Sequence, residues 1–284
     1  MRGRVVRVHA LAIAALAMLC LALPGCTGFF FQPSPVLVRT PKDIGLEFQP
    51  VALRASDGVA LAAWFLPSVG AAKGTVLFLH GNAENISTHI GAVHWMPAAG
   101  FNVLLLDYRG YGRSAGVPTL PGVQRDIDAA VRHLLARPDV DVRRLVLFGQ
   151  SLGGALATWY AARGPNRNAF RAVIIDSAFS SYRDIAREKL DVHWLTRWLK
   201  WPAGLTIDDR FSPIRVVGEI APTPILFIVG GRDEIVPPHH GERLFRQAGA
   251  PKTLWTFETA GHIGALNAAE ARERLVRFLA QTLD

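Results

Sequence analysis

The sequence predicts an α/β protein, with a mostly parallel central sheet covered by helices on both faces. Three observations carry this. Short, almost wholly apolar runs at 75–79, 102–106, 145–148, 172–175 and 224–229 alternate with stretches of helical spacing. A strand that is apolar on both sides is buried on both faces, as in parallel sheets. Residues able to do chemistry follow directly on the carboxyl ends of these runs, where open α/β sheets form their ligand crevices.

The chain has 284 residues, half of them hydrophobic and 19% charged, enough for one sizeable core. Net charge is +8; without Arg2, Arg4 and Arg7 of the leader, 28 basic residues face 23 acidic ones. The remaining cations are scattered and no nucleic-acid module accompanies them, so a nucleic-acid partner is not expected. Cys20 and Cys26 are the only cysteines and both lie near the N-terminus. That excludes a disulfide within the folded domain and a Cys-rich metal site.

Residues 1–25 read as a signal peptide. Three Arg precede an unbroken apolar run of 14 residues, Ala10–Leu23, which ends in Pro24-Gly25-Cys26. The run is shorter than the roughly 20 residues a bilayer span needs. The Leu-x-Gly-Cys ending resembles a bacterial lipoprotein signal, although Pro24 is unusual inside it. The resemblance implies cleavage before Cys26 and lipidation of that residue. An uncleaved N-terminal anchor and plain secretion are the alternatives. All three place the domain in the cell envelope or outside, on the periplasmic side of a membrane. Residues 26–44 read as a tether interrupted by Pro33, Pro35 and Pro41. Phe29-Phe30-Phe31 either meets the membrane surface or packs on the domain.

Residues 45–284 read as one folded domain. Leu46–Leu53 and Val59–Leu66 flank Ser56-Asp57-Gly58 and predict a hairpin. Thr75–Leu79 is a buried strand ending in His80-Gly81-Asn82. Ile86, Ile90, Val93 and Met96 predict a helix over 85–96. Asn102–Leu106 is the next strand, and 121–137 the next helix. Leu145–Phe148 leads into Gly149-Gln150-Ser151-Leu152-Gly153 and a small-residue helix over 154–163. Further strands are predicted at 172–175, 224–229 and 252–257, and helices at 239–248 and 270–283. The interval between the strands at 172–175 and 224–229 is long for a connection. Its aromatics, Tyr182, Trp194, Trp198 and Trp201, predict a short cap over about 178–220. The cap either packs on the domain or forms a lid lining an apolar groove.

G-x-S-x-G between a strand and a helix is the context of a nucleophile elbow. Gly149 and Gly153 lack a Cβ, so strand and helix can close around a sharp turn that pushes Ser151 outward. A serine nucleophile needs a base, and the base needs an orienting carboxylate. Asp233 follows the 224–229 strand and His262 follows the last strand, in the chain order Ser, acid, His. Asp176 also ends a strand and is the alternative acid, otherwise a structural hydrogen-bonding residue. His239 and His240 open a helix and read as surface residues; His80 reads as a buried structural histidine. The oxyanion hole needs two N–H donors. Leu152, after the nucleophile, supplies one, and Asn82 in the loop after Leu79 supplies the other.

These stretches carry a family resemblance: LFLHGNAEN (77–85), LLLDYRGYGRSAG (104–116), VLFGQSLGG (146–154), DSAFSS (176–181), GGRDEIVP (230–237) and AGH (260–262). The chain resembles α/β-hydrolase serine hydrolases of the small-lid group. That group includes membrane-associated lysophospholipid lipases, depalmitoylating thioesterases and serine aminopeptidase-like proteins. Two positions depart from its pattern. Glu84 stands where relatives commonly carry Gly, and Ile263 where Asn or Asp is usual. The resemblance implies a serine hydrolase cleaving carboxylic esters or thioesters of a small or acylated substrate, with no cofactor and no metal. A peptidase of the aminopeptidase type is the alternative. An envelope binding protein on a dead hydrolase fold is the third reading, and the intact Ser-Asp-His set argues against it.

Overall fold

The computed structural model describes residues 30–191 and 207–283. The leader, Cys26 and the cap residues Trp194, Trp198 and Trp201 lie outside the described residues.

Two short strands, β1 (Gln32–Pro33) and β5 (Ala83–Glu84), pair in parallel as a ribbon of their own. The main sheet has eight strands, β2 (Gln49–Arg54), β3 (Ala60–Leu66), β4 (Gly74–Leu79), β6 (Phe101–Leu106), β7 (Leu145–Gln150), β8 (Phe170–Asp176), β9 (Ile225–Gly230) and β10 (Lys252–Phe257). Their order across the sheet is β10-β9-β8-β7-β4-β6-β3-β2. The predicted hairpin is the antiparallel pair β2–β3, its turn carried by Gly58 at φ 86°. β3 also runs antiparallel to β6, and every other neighbouring pair is parallel.

β4, β6 and β7 are buried along their whole length, as unbroken apolar runs require. Their alternate residues serve two cores. Leu77, Leu79 and Leu147 face one, while Val76, Phe78 and Phe148 face the other. The first core is closed by α2 (Leu120–Ala136) and α3 (Leu152–Arg163), and the second by α6 (Ala269–Leu283) through Leu275, Leu279 and Leu283. α3 is rich in Gly and Ala and so can lie close against β7 and β8. The remaining helices are α1 (Ile86–His89), α4 (Tyr182–Asp191) and α5 (His239–Gln247). Among the described residues, no helix is long and apolar enough to cross a membrane.

The chain passes from β4 to β6 on one side and then returns to place β7 on the other. The carboxyl ends of β4 and β7 therefore border a topological switch point, where such sheets leave a crevice.

Two local expectations change, and one open alternative is decided. The helix predicted over 85–96 is α-helical only at Ile86–His89 and continues as a 3-10 turn, Ile90–Ala92. Ile86, Ile90, Val93 and Met96 are all buried as their spacing implies. Gly91 and the β-branched residues around it give the segment little intrinsic helix stability, so packing sets its path. Phe30 and Phe31 pack on the domain, with Phe30 edge-on to Tyr182 and Phe31 edge-on to Tyr111. His240, expected at the surface, is wholly buried, held by Ser180 and Glu188.

Candidate active site

Ser151 adopts φ 55°, ψ −119°, a conformation that L-residues rarely hold and that costs about 1–3 kcal/mol. The turn can close because glycines stand two residues to either side of the serine. A Cβ on Gly149 would strike the carbonyl of Gly153, and one on Gly153 would strike the carbonyl of Leu79. Ser151 N–H donates to Asp176 O at 2.8 Å, locking the turn to the end of β8. The serine side chain is thereby presented at the N-terminus of α3. Leu152 is the first residue of that helix, so its N–H has no acceptor within it.

Asp233 and His262 meet across two loops. Close approach of the loops needs Gly230, where a Cβ would lie 2.6 Å from the carbonyl oxygens of Ala260 and Gly261. His262 Nδ1 lies 2.8 Å from Asp233 Oδ2. A carboxylate oxygen accepts, so the ring donates from Nδ1 and leaves the Nε2 lone pair free to take a proton. The other Asp233 oxygen accepts from Ile235 N at 2.9 Å and Val236 N at 2.8 Å, which fixes the carboxylate plane. No hydrogen bond joins Ser151 to His262 among the described residues; nucleophile–base contacts of this kind are often loose before substrate binds.

Asp176 is fully buried, and among the described residues no hydrogen bond joins it to His262. Its carboxyl accepts from Gln150 Nε2 at 2.8 Å and from Ser177 Oγ at 3.0 Å. Ser177 Oγ in turn accepts from Ile263 N at 3.2 Å. A chain of hydrogen bonds thus runs from the serine turn to the histidine loop. Burial pushes the Asp176 carboxyl up to about 6, against the lowering effect of Gln150 and Ser177.

The loop after β4 places Gly81 against Ser151: a Cβ there would lie 3.8 Å from the serine Cβ. Asn82 follows, and its carbonyl accepts from Gln32 N at 2.8 Å and from the Tyr111 hydroxyl at 2.6 Å. Among the described residues, neither the Asn82 nor the Leu152 N–H has a backbone acceptor. Beneath the loop, His80 is buried, as expected. Its Nδ1 donates to Gly81 O at 2.8 Å, and burial depresses its pKa well below the usual histidine range. His80 stacks on His89, whose ring abuts Gly81.

Asn82, Ser151 and Leu152 line one cleft, together with Phe30, Phe179, Ile185 and Val236. Asp233 and His262 do not line this cleft, but like Asn82 and Ser151 they follow the carboxyl ends of parallel strands. Gln32, Gln150, Ser177 and Tyr111 have no site role of their own in the sequence reading, and Phe30 enters it only as a residue for the membrane surface or the domain. Tyr111 lies within the DYRGYGRSAG stretch, which was a signal for it. Gln32 reaches the site through long-range pairing of β1 with β5, and Phe30 through packing on Phe179 and Tyr182.

Both positions that depart from the family pattern have left-handed backbone, Glu84 at φ 63° and Ile263 at φ 49°. Gly, Asn and Asp suit that region, and a β-branched side chain does not. The usual residues at these positions thus have a backbone reason.

A serine on a strained strand-to-helix turn, with an acid–histidine pair on later strand ends, is the arrangement of α/β-hydrolases, and the chain belongs to that family. Residues 70–210 match the family model described as serine aminopeptidase, S33. The chain is 36% identical over 243 residues to the YfhR protein of Escherichia coli (strain K12), covering 83% of this chain and 82% of that one. It is 35% identical over 231 residues to the α/β hydrolase domain-containing protein WAV2 of Arabidopsis thaliana, covering 77% and 72% of the two chains. Among solved structures, an esterase of Pyrococcus furiosus superposes with a TM-score of 0.74 at 23% identity, covering 90% of this chain and 99% of that one. At that identity the likeness speaks for the fold.

Proposed function

We propose that this hydrolase cleaves carboxylic esters or thioesters through an acyl-enzyme on Ser151. Ser151 Oγ attacks the carbonyl carbon as His262 Nε2 takes the hydroxyl proton. The Leu152 and Asn82 amides receive the negative charge that develops on the carbonyl oxygen. Collapse of the tetrahedral species breaks the bond to the leaving oxygen or sulfur, which takes the proton from His262. Asp233 holds the imidazole in the required tautomer and stabilises its charged form. Water, activated by the same histidine, then releases the acid and restores the serine.

The observation that carries this reading is the shared cleft. Ser151, Asn82 and Leu152 line it together with an apolar wall suited to an acyl chain, and among the described residues neither the Asn82 nor the Leu152 amide has a backbone acceptor. An aminopeptidase needs a carboxylate to receive the free amino terminus, and no acidic side chain is among the described lining residues. The test compares 4-nitrophenyl butyrate with an aminoacyl-4-nitroanilide. The ester is turned over and the anilide is not, and Ser151→Ala abolishes ester turnover. A Ser151→Ala protein acting at the wild-type rate would refute the proposal.

For location, we propose a lipoprotein of the cell envelope anchored at Cys26, with residues 1–25 removed. Intact mass of the protein from the membrane fraction tests this. A chain retaining its leader, or a soluble unlipidated chain, would overturn it.

A further inference from the structure

We propose that Lys189 makes the cleft selective for esters that carry an anion. This deepens the ester-hydrolase reading and rests on it.

The described wall of the cleft is apolar except at a few points, and its polar groups are sorted. Asn82 and Ser151 sit at the reacting end. Lys189 is the one charged side chain among the described lining residues. Glu84 and Glu234 neighbour lining residues in sequence but do not themselves line the cleft. The stretch 192–206, which follows α4, contains Arg197 and Lys200 and no Asp or Glu. Wherever that stretch lies, it cannot supply a carboxylate.

Lys189 is also held in place. It stands on the exposed side of α4, two turns beyond the buried Tyr182, and its Nζ donates to the carbonyl of Glu234 at 2.7 Å. That bond reaches from the cap helix to the loop carrying Asp233, beside the exposed Ile235 at the cleft's rim. An ammonium has three donors, and the carbonyl uses one. Two remain for a carboxylate or phosphate oxygen. The acyl chain would lie along Phe179, Ile185 and Val236, and the anion would meet the ammonium at the mouth.

The test uses three esters: neutral 4-nitrophenyl butyrate, mono-4-nitrophenyl glutarate with its charge on the acyl side, and 4-butyryloxybenzoate with its charge on the leaving group. The readout is the ratio of kcat/KM for each anionic ester to that for the neutral one. At least one anionic ester is preferred by the wild type, and which one it is locates the anion. Lys189→Met lowers that ratio about fivefold, as expected for an ion pair at a partly exposed rim, and Lys189→Arg retains it. Added salt lowers the wild-type ratio toward that of the Met variant. A wild type that favours the neutral ester over both others, or a ratio unmoved by Lys189→Met, overturns the proposal while leaving ester hydrolysis intact. Failure to turn over any of the three esters would instead refute the ester reading itself, and this proposal with it.

Discussion

Replacing Asp176 with Asn keeps the shape of the residue and removes its titration. The carboxyl sits wholly buried between Gln150 and Ser177 and is raised from an ordinary value of 3.8 to about 6. The folded state therefore holds this proton more tightly than the unfolded chain does. The resulting stability is fully present below pH 3.8 and is lost as pH rises through about 6. At about 1.4 kcal/mol per pH unit, the whole change is roughly 3 kcal/mol. Chemical unfolding of wild type and Asp176→Asn between pH 3.5 and 7.5 isolates it, because every other group titrates in both proteins. The difference in unfolding free energy should swing by roughly 3 kcal/mol in favour of the variant as pH rises. Most of the swing should fall between the two pKa values. A difference that stays flat with pH would refute the reasoning. At neutral pH the variant should also lose kcat more than it changes KM, since the same hydrogen bonds tie the serine turn to Ile263 N.

Two further substitutions test the geometry. Ile263→Asn should stabilise the fold by about 1 kcal/mol, because Asn tolerates the left-handed backbone that a β-branched residue resists. Thermal unfolding should register it as a rise of about 2–4 °C, and a fall in Tm would count against strain at this position. Tyr111→Phe removes the 2.6 Å hydrogen bond that orients Asn82 while leaving the ring in place. Ester kinetics should show kcat reduced about tenfold with KM little changed, the pattern of an interaction made mainly in the transition state. An unchanged kcat would separate Tyr111 from the oxyanion loop.

Much of this was legible in the sequence because the chemistry lies at strand ends that the apolar runs mark. The run Leu145–Phe148 followed by G-x-S-x-G located the serine turn, and the order of Asp233 and His262 followed from the same pattern. What escaped was set by contacts remote in sequence or by backbone angle. Phe30 and Gln32 are separated from Asn82 by some fifty residues; Gln32 joins it through the β1–β5 ribbon and Phe30 packs against Phe179 and Tyr182. His240 opens a helix and reads as exposed, yet Ser180 and Glu188 enclose it from elsewhere in the chain. The unusual residues at 84 and 263 were visible as departures, but only their φ angles explain what the usual residues supply. Asp176 reads from sequence as a structural hydrogen-bonding residue with the acid role as the lesser alternative, but its partners, Gln150 and Ser177, are visible only in the fold.

The central proposal is that Ser151 carries the acyl group during turnover. Rapid acid quenching of the enzyme with excess 4-nitrophenyl butyrate, followed by digestion and mass spectrometry, tests it directly. A butyryl group on the peptide containing Ser151, absent from Ser151→Ala, is the expected result. Continued ester turnover with no acyl group on Ser151, or with the group on another residue, would contradict it.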